Sequence, residues 1–306
     1  ALVIVAFTMM AAYYVNDVVA PLKTMLETDL AWSSTDFGFF TGGYSFLNVF
    51  FLMLIWGGLI LDRFGIRFTG KLATILMVGG TALEYYAMTG LAGADATLFG
   101  INEIFGYKTG VFVAFAGYSI FGVGAEVAGI TVSKIIAKWF KGKELATAMG
   151  VQVALARIGS QAGYAVAIPL ARAFGISTPV LLGLVLLLGG MIAFFIFAVM
   201  DKKLDKQMEA AAIAAGTEDE EEKFSFKDVK NILVNPGFWL IALLCVLFYS
   251  CVFPFQKFAS ELMIIKYGIN ENVAGTFAGL PALGALILTP VFGGFIDKRG
   301  KSASIM

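Results

Sequence analysis

Histidine is absent from this sequence of 306 residues, and cysteine occurs only twice. Without histidine the chain cannot form a histidine-containing catalytic triad, use a histidine general base or bind a metal through imidazole. Cys245 and Cys251 are six residues apart in one apolar run, a spacing that suits neither a metal site nor a disulfide framework. We interpret them as packing residues. The sequence therefore argues against an enzyme and predicts no cofactor and no metal site.

Charged residues are also scarce. They make up 14% of the chain, whereas 59% of the residues are hydrophobic and the mean hydropathy is +0.84. Such values are typical of polytopic membrane proteins. The 22 basic and 22 acidic residues balance, so the net charge does not indicate a nucleic-acid partner. We expect an all-α polytopic membrane protein whose partners are the lipid bilayer and a small-molecule substrate.

Eight apolar segments are long enough to cross the roughly 30 Å of hydrocarbon in a bilayer. They lie near 1–20, 36–61, 70–92, 109–137, 144–171, 178–200, 236–258 and 271–296. The first of them begins directly at Ala1, with no initiator methionine. We expect the chain to be a fragment of a longer protein.

The basic residues predict the orientation of these helices. Sixteen of the 22 lie in the segments after helices two, four, six and eight. Five are assigned to the opposite side of the membrane: Lys23, Lys108, Arg172, Lys257 and Lys266. The positive-inside rule places the larger group in the cytoplasm. We therefore expect a cytoplasmic N-terminus, and a bacterial-type inner membrane as the default location.

Helices four and five each carry one isolated charge. Glu126 lies 15 residues before Lys141, and Arg157 lies 14 residues after Lys143, which places both about 21–23 Å from the loop between these helices. An ionisable side chain at the bilayer centre costs about 2.5–3.5 kcal/mol, so two at one depth require a partner, a polar cavity or both. We interpret this helical hairpin as the floor of a substrate site. The alternative is an ion pair without a ligand.

Other polar side chains lie along the same helices. Tyr44 and Asn48 share one face of helix two, and such a stripe normally faces protein or water. Asp17 either faces a cavity or sits in the outer headgroup zone, and Glu84, near the outer end of helix three, is expected to reach toward water. The predicted substrate-binding residues are Glu126, Arg157, Asp17, Tyr44, Asn48 and Gln152.

A short pattern, Gly-x-x-x-Asp followed by Arg or Lys, occurs after helix two and again after helix eight, 235 residues later. The glycine lets two helices approach, the aspartate can cap a following helix, and the cations keep the loop in the cytoplasm. Such a loop can act as a latch between two moving halves. We assign this gating loop to Gly58, Asp62, Arg63, Gly65 and Arg67 in the first copy and to Gly293, Asp297, Lys298 and Gly300 in the second.

The distance between the two copies corresponds to a six-helix half plus a linker. We divide the chain into an N-terminal six-helix half at 1–200, a charged cytoplasmic linker at 201–235, and the start of a C-terminal half at 236–306. Only helices seven and eight of that second half are present. About four helices of a twelve-helix protein would therefore be missing.

The repeated loop resembles that of the major facilitator superfamily, which reads Gly-x-Leu-x-Asp-Arg-x-Gly-Arg-Lys between helices two and three. Two further strings resemble the dipeptide-transporter branch of this superfamily: Trp-Phe-Lys-Gly-Lys-Glu-Leu at 139–145 and Ala-Arg-Ile-Gly-Ser at 156–160. The resemblance implies a secondary transporter that works by alternating access. It also implies that the acid of helix four and the base of helix five, here Glu126 and Arg157, hold a peptide.

Two departures from related patterns limit the mechanism. Tyr118 stands where proton-coupled relatives often have arginine, and Tyr164 replaces the proline of the antiporter signature. The first departure puts proton coupling in doubt, the second does not support drug–proton exchange, and the coupling ion stays open. We expect a monomeric transporter of small zwitterionic or anionic solutes, most specifically short peptides. The alternatives are an organic-anion (carboxylate) exchanger and a non-transporting receptor or scaffold.

Overall fold

The computed structural model describes residues 2–93, 97–140, 145–215 and 233–288. These residues are almost entirely helical, as the long apolar segments predict. The elements are α1 (Leu2–Val18), a 3-10 turn (Ala20–Leu22), α2 (Lys23–Asp29), α3 (Ser34–Phe50), α4 (Met53–Thr89), β1 (Glu103–Ile104), β2 (Tyr107–Lys108), α5 (Thr109–Trp139), α6 (Leu145–Phe174), α7 (Thr178–Ala215), α8 (Pro236–Tyr267) and α9 (Glu271–Ala278). Helix continues beyond α9 to Leu288. The predicted all-α fold is confirmed.

Local sequence signals explain where two of the helices begin. A capping box starts α3, because the Ser33 hydroxyl accepts a hydrogen bond from the Asp36 amide while the Asp36 carboxylate accepts one from the Ser33 amide. Asn235 caps α8, and Pro236 occupies its first turn, where no amide hydrogen is needed. These caps satisfy backbone groups that the bilayer would otherwise leave without partners.

Each predicted membrane helix has a helical counterpart in the described part of the chain. Five helices are long and apolar enough by themselves to span a bilayer, and the bent pair of α3 and α4 would count as a sixth. Helix α6 is not among them, because Gln152, Arg157 and Gln161 lower its hydropathy. Polar residues of this kind inside a membrane helix normally face other helices or a cavity.

The predicted second helix is bent, and the chain turns at the predicted loop after it. The chain bends by 58° between α3 and α4, where Leu52 adopts a left-handed conformation. Beyond the bend, α4 consists of two helical parts that meet at Gly65, whose φ of 75° and ψ of 172° are not helical. Glycine adopts a positive φ without the steric cost that a Cβ atom imposes. Gly57, before this break, packs against Val127, and Ala73, after it, packs against Gly124. The two parts therefore pack against the same stretch of α5, and the chain reverses direction at the predicted gating loop.

Helix α1 lies at the centre of the N-terminal helices. It packs along α6 and α7 on one side and reaches α5 on another, while α5 packs mainly against α3 and α4. Helices α5 and α6 make little direct contact. The two arms of the predicted helical hairpin therefore lie on different sides of α1.

The two ends of the helices differ in charge and in contacts. We call the end that carries Arg67 and Lys138 the basic end, and the end that carries Lys23 and Arg172 the opposite end. Helices α8 and α9 contact the N-terminal helices only near the opposite end. From Phe238 to Leu247, on the way from the basic end, α8 is largely exposed in the described part of the chain.

The predicted boundaries of the two halves and the linker remain predictions. Helix α7 extends to Ala215, so the first part of the predicted linker at 201–235 is helical. Residues 216–232 lie outside the described residues.

Candidate functional site

A cavity of about 510 Å³ lies where α1, α3, α5 and α8 meet. Its wall is mostly apolar and contains a few polar side chains. These are Tyr13, Asn16, Thr41, Tyr44, Ser45, Glu126 and Lys257. Cavities of this size that combine apolar walls with a few polar groups are typical small-molecule sites.

Glu126 is held at the cavity wall by Tyr44. The Tyr44 hydroxyl donates a hydrogen bond of 2.8 Å to Glu126 Oε1. One turn earlier on α5, Gly122 lies against the backbone of Tyr44, and a Cβ atom there would come within 2.3 Å of the Tyr44 carbonyl oxygen. The glycine thus allows α3 and α5 to approach closely enough for this bond to form. The structure brings together two of the predicted site residues.

Arg157 and Asp17 line a narrow cleft of about 30 Å³ beside this cavity. Three residues, Tyr13, Asn16 and Phe253, line both spaces. The Arg157 guanidinium lies 5.7 Å from the centre of the Tyr13 ring, within range for a cation–π interaction. The cavity and the cleft are therefore two adjoining compartments whose shared wall is formed by side chains of α1 and α8.

The close position of Arg157 depends on a second glycine. Gly159 packs against the backbone of α1, and a Cβ atom there would come within 2.1 Å of the Met10 carbonyl oxygen. This contact brings α6 against the α1 turn that carries Tyr13. The approach of α6 to α1 explains why Arg157 reaches the cleft.

Glu126 and Arg157 do not form an ion pair, since no nitrogen of Arg157 lies within 4.0 Å of a carboxylate oxygen in the described residues. Arg157 also has no side-chain hydrogen bond among them. The alternative of a direct ion pair without a ligand is therefore not what the structure contains. Glu126 instead lines the cavity, and Arg157 lines the adjoining cleft.

Lys257 is a site residue that the sequence analysis missed. It was counted among the charges outside the membrane, but α8 runs past Pro254 as far as Tyr267 and carries Lys257 into the cavity wall. Its ammonium donates to the Asn16 carbonyl at 2.5 Å and to the Tyr118 hydroxyl at 3.0 Å, and lies 3.9 Å from Asp17 Oδ1. Lys257 therefore joins α8 to α1 and α5.

Two predicted binding residues are not in the site walls. The Asn48 amide donates to the Tyr44 carbonyl at 3.0 Å, so Asn48 supports the α3 turn behind Tyr44. Gln152 is half-buried on α6, more than a turn from Arg157, and lines neither compartment. Spacing along a helix placed these residues near the site but could not give the rotation of each helix.

Contacts between charged residues close the opposite end. Lys23 is buried and pairs with Glu27 and with Glu261 of α8, while Arg172 of α6 pairs with Glu271 of α9. An edge-to-face contact between Phe37 and Phe258 lies beside them. In the described residues no ion pair or hydrogen bond joins α8 or α9 to the N-terminal helices at the basic end.

The gating loop is held at the basic end by a different set of contacts. Asp62 lies in the last turn before the break at Gly65 and pairs with Lys134 of α5 at 2.9 Å. The helix contact expected at Gly58 occurs instead at Gly57, where a Cβ atom would meet Val127, whereas one at Gly58 would meet nothing. The second copy, at Gly293, Asp297, Lys298 and Gly300, lies outside the described residues.

Asp201 is the centre of a network beside this loop and was not predicted. It is fully buried and accepts hydrogen bonds from Lys138 Nζ (2.9 Å) and Trp139 Nε1 (3.0 Å). Arg67, from the gating loop, lies 3.6 Å from Asp201 and 2.8 Å from Asp205. The loop is thereby tied to α5 and α7. Arg63 instead lies over the Phe64 ring at 5.5 Å.

Comparison with known proteins decides the family. The sequence profile of the Major Facilitator Superfamily matches residues 2–306. The chain belongs to this superfamily. It is therefore an integral membrane protein of a transporter family, as its apolar helices also indicate.

The most similar curated relatives include lysosomal dipeptide transporters named MFSD1. The human protein is 27% identical over 315 residues, covering 98% of this chain and 61% of the relative. The chicken protein is 32% identical over 199 residues, covering 61% of this chain and 43% of the relative. The chain thus spans about 61% of the length of the human relative.

Solved structures support the same fold. The xylose transporter XylE of E. coli, in a partially occluded inward open conformation, matches with a TM-score of 0.62 at 15% identity, covering 99% of this chain and 74% of that one. A D-xylose–proton symporter matches with a TM-score of 0.59 at 15% identity, covering 97% and 68%. At these identities the likeness concerns the fold alone.

Proposed function

We propose that this superfamily member is a secondary transporter of short peptides that works by alternating access. The relatives named as dipeptide transporters support this substrate class. The observation that carries it is the pair of adjoining compartments, in which Glu126 lines one and Arg157 lines the other without pairing with each other, while Tyr13 lines both. A zwitterion has an ammonium and a carboxylate several ångströms apart and can satisfy both charges.

The hydrogen bonds within the protein indicate which group of the peptide Arg157 and Glu126 would each bind. Arg157 has no acceptor in the described residues, so its five donors are available to a ligand. A guanidinium binds a carboxylate through paired, charge-assisted hydrogen bonds. We assign the peptide carboxylate to Arg157. Glu126 accepts one bond, from Tyr44, and its remaining lone pairs can accept the peptide ammonium.

Lys257 is the other cation near the site, but its hydrogen bonds are largely used. Asn16 and Tyr118 accept two of its three donors, and Asp17 lies close to it. We assign Lys257 to the connection between α8 and the N-terminal helices rather than to the peptide carboxylate.

The contacts at the opposite end define the state of the transporter. We place the basic end in the cytoplasm of a cell with a bacterial-type inner membrane, by the positive-inside rule. The described conformation is then closed on the outside by Lys23, Glu261, Arg172 and Glu271. Transport would alternate between this state and one with the outer contacts broken, in a monomer of two six-helix halves.

An organic-anion exchanger is the second candidate, and the presence of two cations, Arg157 and Lys257, near one cavity favours it. A non-transporting receptor is the candidate from another class. Ligand chemistry separates the first two proposals, and only flux across a membrane excludes the third.

Thermal stabilisation of the full-length protein by a matched set of ligands tests the assignment. The set contains one dipeptide, its N-acetyl form, its C-terminal amide and a simple carboxylate. We expect only the free dipeptide to stabilise the wild type strongly. Glu126→Gln should remove the preference over the acetylated form, and Arg157→Lys should weaken binding of every ligand that has a carboxylate.

Losing one member of such a desolvated pair typically costs about 2–5 kcal/mol, or about thirtyfold or more in affinity. Gln152→Glu is the control, because Gln152 lies on the same helix as Arg157 and outside both compartments. Equal stabilisation by free and acetylated dipeptide, with Glu126→Gln silent, would favour the organic-anion exchanger.

A further inference from the structure

Glu84 is a buried carboxyl group that the proposed peptide site does not use. It was expected to reach toward water near the end of helix three, but in the structure its exposure is 0%. Neither of its carboxyl oxygens has a hydrogen-bond partner in the described residues. Its surroundings are the packed contact between α4 and α5, where Gly117 lies directly against the Glu84 backbone.

The charged and titratable groups around Glu84 come from three other helices. Tyr118 of α5, next to Gly117, donates a hydrogen bond from its hydroxyl to the Asn16 carbonyl at 2.7 Å. Lys257 of α8 donates to the Tyr118 hydroxyl at 3.0 Å and forms no ion pair with Glu84 in the described residues. Asp17 of α1 lies close to Lys257. Lys257 is thus held by Asn16, Tyr118 and Asp17 and does not pair with Glu84.

An ionised carboxylate in this position would be costly. Burying a charge without a partner costs several kcal/mol, and a carboxyl group in such surroundings is normally neutral. In a membrane helix, ionisable residues that face the protein interior are commonly functional rather than structural. The geometry therefore favours a protonated Glu84 in the conformation described.

We propose that Glu84 is a proton-binding site that is loaded while the opposite end is closed and releases its proton when that end opens. This inference rests on the proposed alternating access but not on the identity of the substrate. On release, the O–H bond of the carboxyl group breaks, its electron pair stays on oxygen, and the proton passes to water.

The position of Lys257 provides the link between opening and proton release. Lys257 is on α8, whereas Asn16, Tyr118 and Glu84 are all on the N-terminal helices. Opening of the opposite end separates α8 from these helices and withdraws Lys257 from Asn16 and Tyr118. The space that it leaves admits water to the level of Glu84, about 8 Å along α4 from the helix end at Thr89.

Binding linkage then fixes the sign of the pH effect. If Glu84 binds its proton more tightly in the state with the opposite end closed, proton binding favours that state over the open one by the same factor. Acidic pH should close the opposite end, and alkaline pH should open it. Glu84→Gln imitates the protonated form and should keep the end closed at every pH.

Spin labels across the opposite end measure this directly. Thr28 and Tyr267 are exposed there, on α2 and α8, and can be replaced by cysteine after Cys245 and Cys251 are changed to alanine. In the full-length protein without ligand, we expect the label distance to lengthen as the pH rises. Glu84→Gln should abolish this change. Glu103→Gln, at an exposed glutamate of β1, should leave it intact.

Infrared difference spectroscopy provides the second readout. A protonated carboxyl band that disappears at alkaline pH should be present in the wild type and in Glu103→Gln but absent in Glu84→Gln. Glu84→Asp, which keeps a titratable group, maintains the test if Glu84→Gln does not fold. An unchanged pH response or carboxyl band in Glu84→Gln would overturn the proposal. If both signals behave as expected while dipeptides do not bind, only the peptide assignment fails.

Discussion

Removing the charge of Glu261 should open the outer end of the transporter. Lys23, which is 2% exposed, pairs with both Glu27 and Glu261. Of these two ion pairs, only Lys23–Glu261 joins α8 to the N-terminal helices. Glu261→Gln removes this ionic bond without leaving Lys23 alone, since Glu27 and the Ser34 hydroxyl still accept from its ammonium at 2.9 and 2.8 Å.

The structure also sets the size of the effect. A hydrogen bond to a charged group contributes about 1.5–3 kcal/mol. Because this bond exists only in the closed state, its loss shifts the equilibrium toward opening by about tenfold to 150-fold. A hydrogen bond made by the new glutamine amide would reduce this shift.

Labels at Thr28 and Tyr267 report the populations of the closed and open states. Glu27→Gln is the matched control, because Glu27 and Lys23 lie four residues apart on α2 and move together. We expect the open population to rise in Glu261→Gln and to stay near the wild-type value in Glu27→Gln. Equal effects of the two substitutions would refute the idea that the Lys23–Glu261 bond closes the outer end.

Three further predictions concern the basic end and the helix contacts. Asp62→Ala should slow transport, measured as flux, and leave dipeptide affinity, measured by thermal stabilisation, unchanged. The reason is that Asp62 pairs with Lys134 at the surface, outside both compartments. Loss of affinity with unchanged turnover would contradict the latch. Asp201→Asn should lower the melting temperature far more than Asp205→Asn, because the Asp201 side chain is 0% exposed and the Asp205 side chain is 38% exposed. Losing a buried ionic partner costs about 3–5 kcal/mol. Similar shifts in the two variants would argue against the buried network. Gly159→Ala should destabilise the protein by about 1–3 kcal/mol and weaken peptide binding, because its Cβ atom would collide with the α1 backbone, whereas Gly150→Ala, with open space around it, should have little effect on either measurement.

The family and the all-α fold could be predicted from the sequence because hydropathy and loop charge act over whole segments. Each helix needs only length and apolar composition to be recognised. The bend at Leu52 could not be predicted in this way, because residues 49–56 are all apolar and include no glycine or proline. The break at Gly65, in contrast, falls in the predicted loop between helices two and three. The packing of α1 between α5 and α6 depends on contacts such as Gly159 with Met10, which no sequence spacing reveals.

The candidate site was predictable where a charge interrupts an apolar helix. Glu126 and Arg157 stand out for this reason, and the structure places Glu126 in the cavity wall and Arg157 in the adjoining cleft. Lys257 was missed because it lies near a predicted helix end, where a cation is expected to contact headgroups. One available signal was the spacing of Phe255, Phe258 and Leu262, which continues the helical pattern beyond Pro254. The burial of Glu84 was not predicted, because whether its side chain reaches water depends on how the neighbouring helices pack around it.

Dipeptide flux into proteoliposomes tests the central proposal most directly. The full-length protein is reconstituted as wild type, Glu126→Gln and Arg157→Lys, and a labelled dipeptide competes with its N-acetyl form and with a simple carboxylate. We predict saturable flux in the wild type, strong competition only by free dipeptides, and a loss of flux in both variants. Flux of acetylated dipeptide or carboxylate equal to that of free dipeptide, unaffected by Glu126→Gln, would contradict the assignment of a zwitterionic peptide as the substrate.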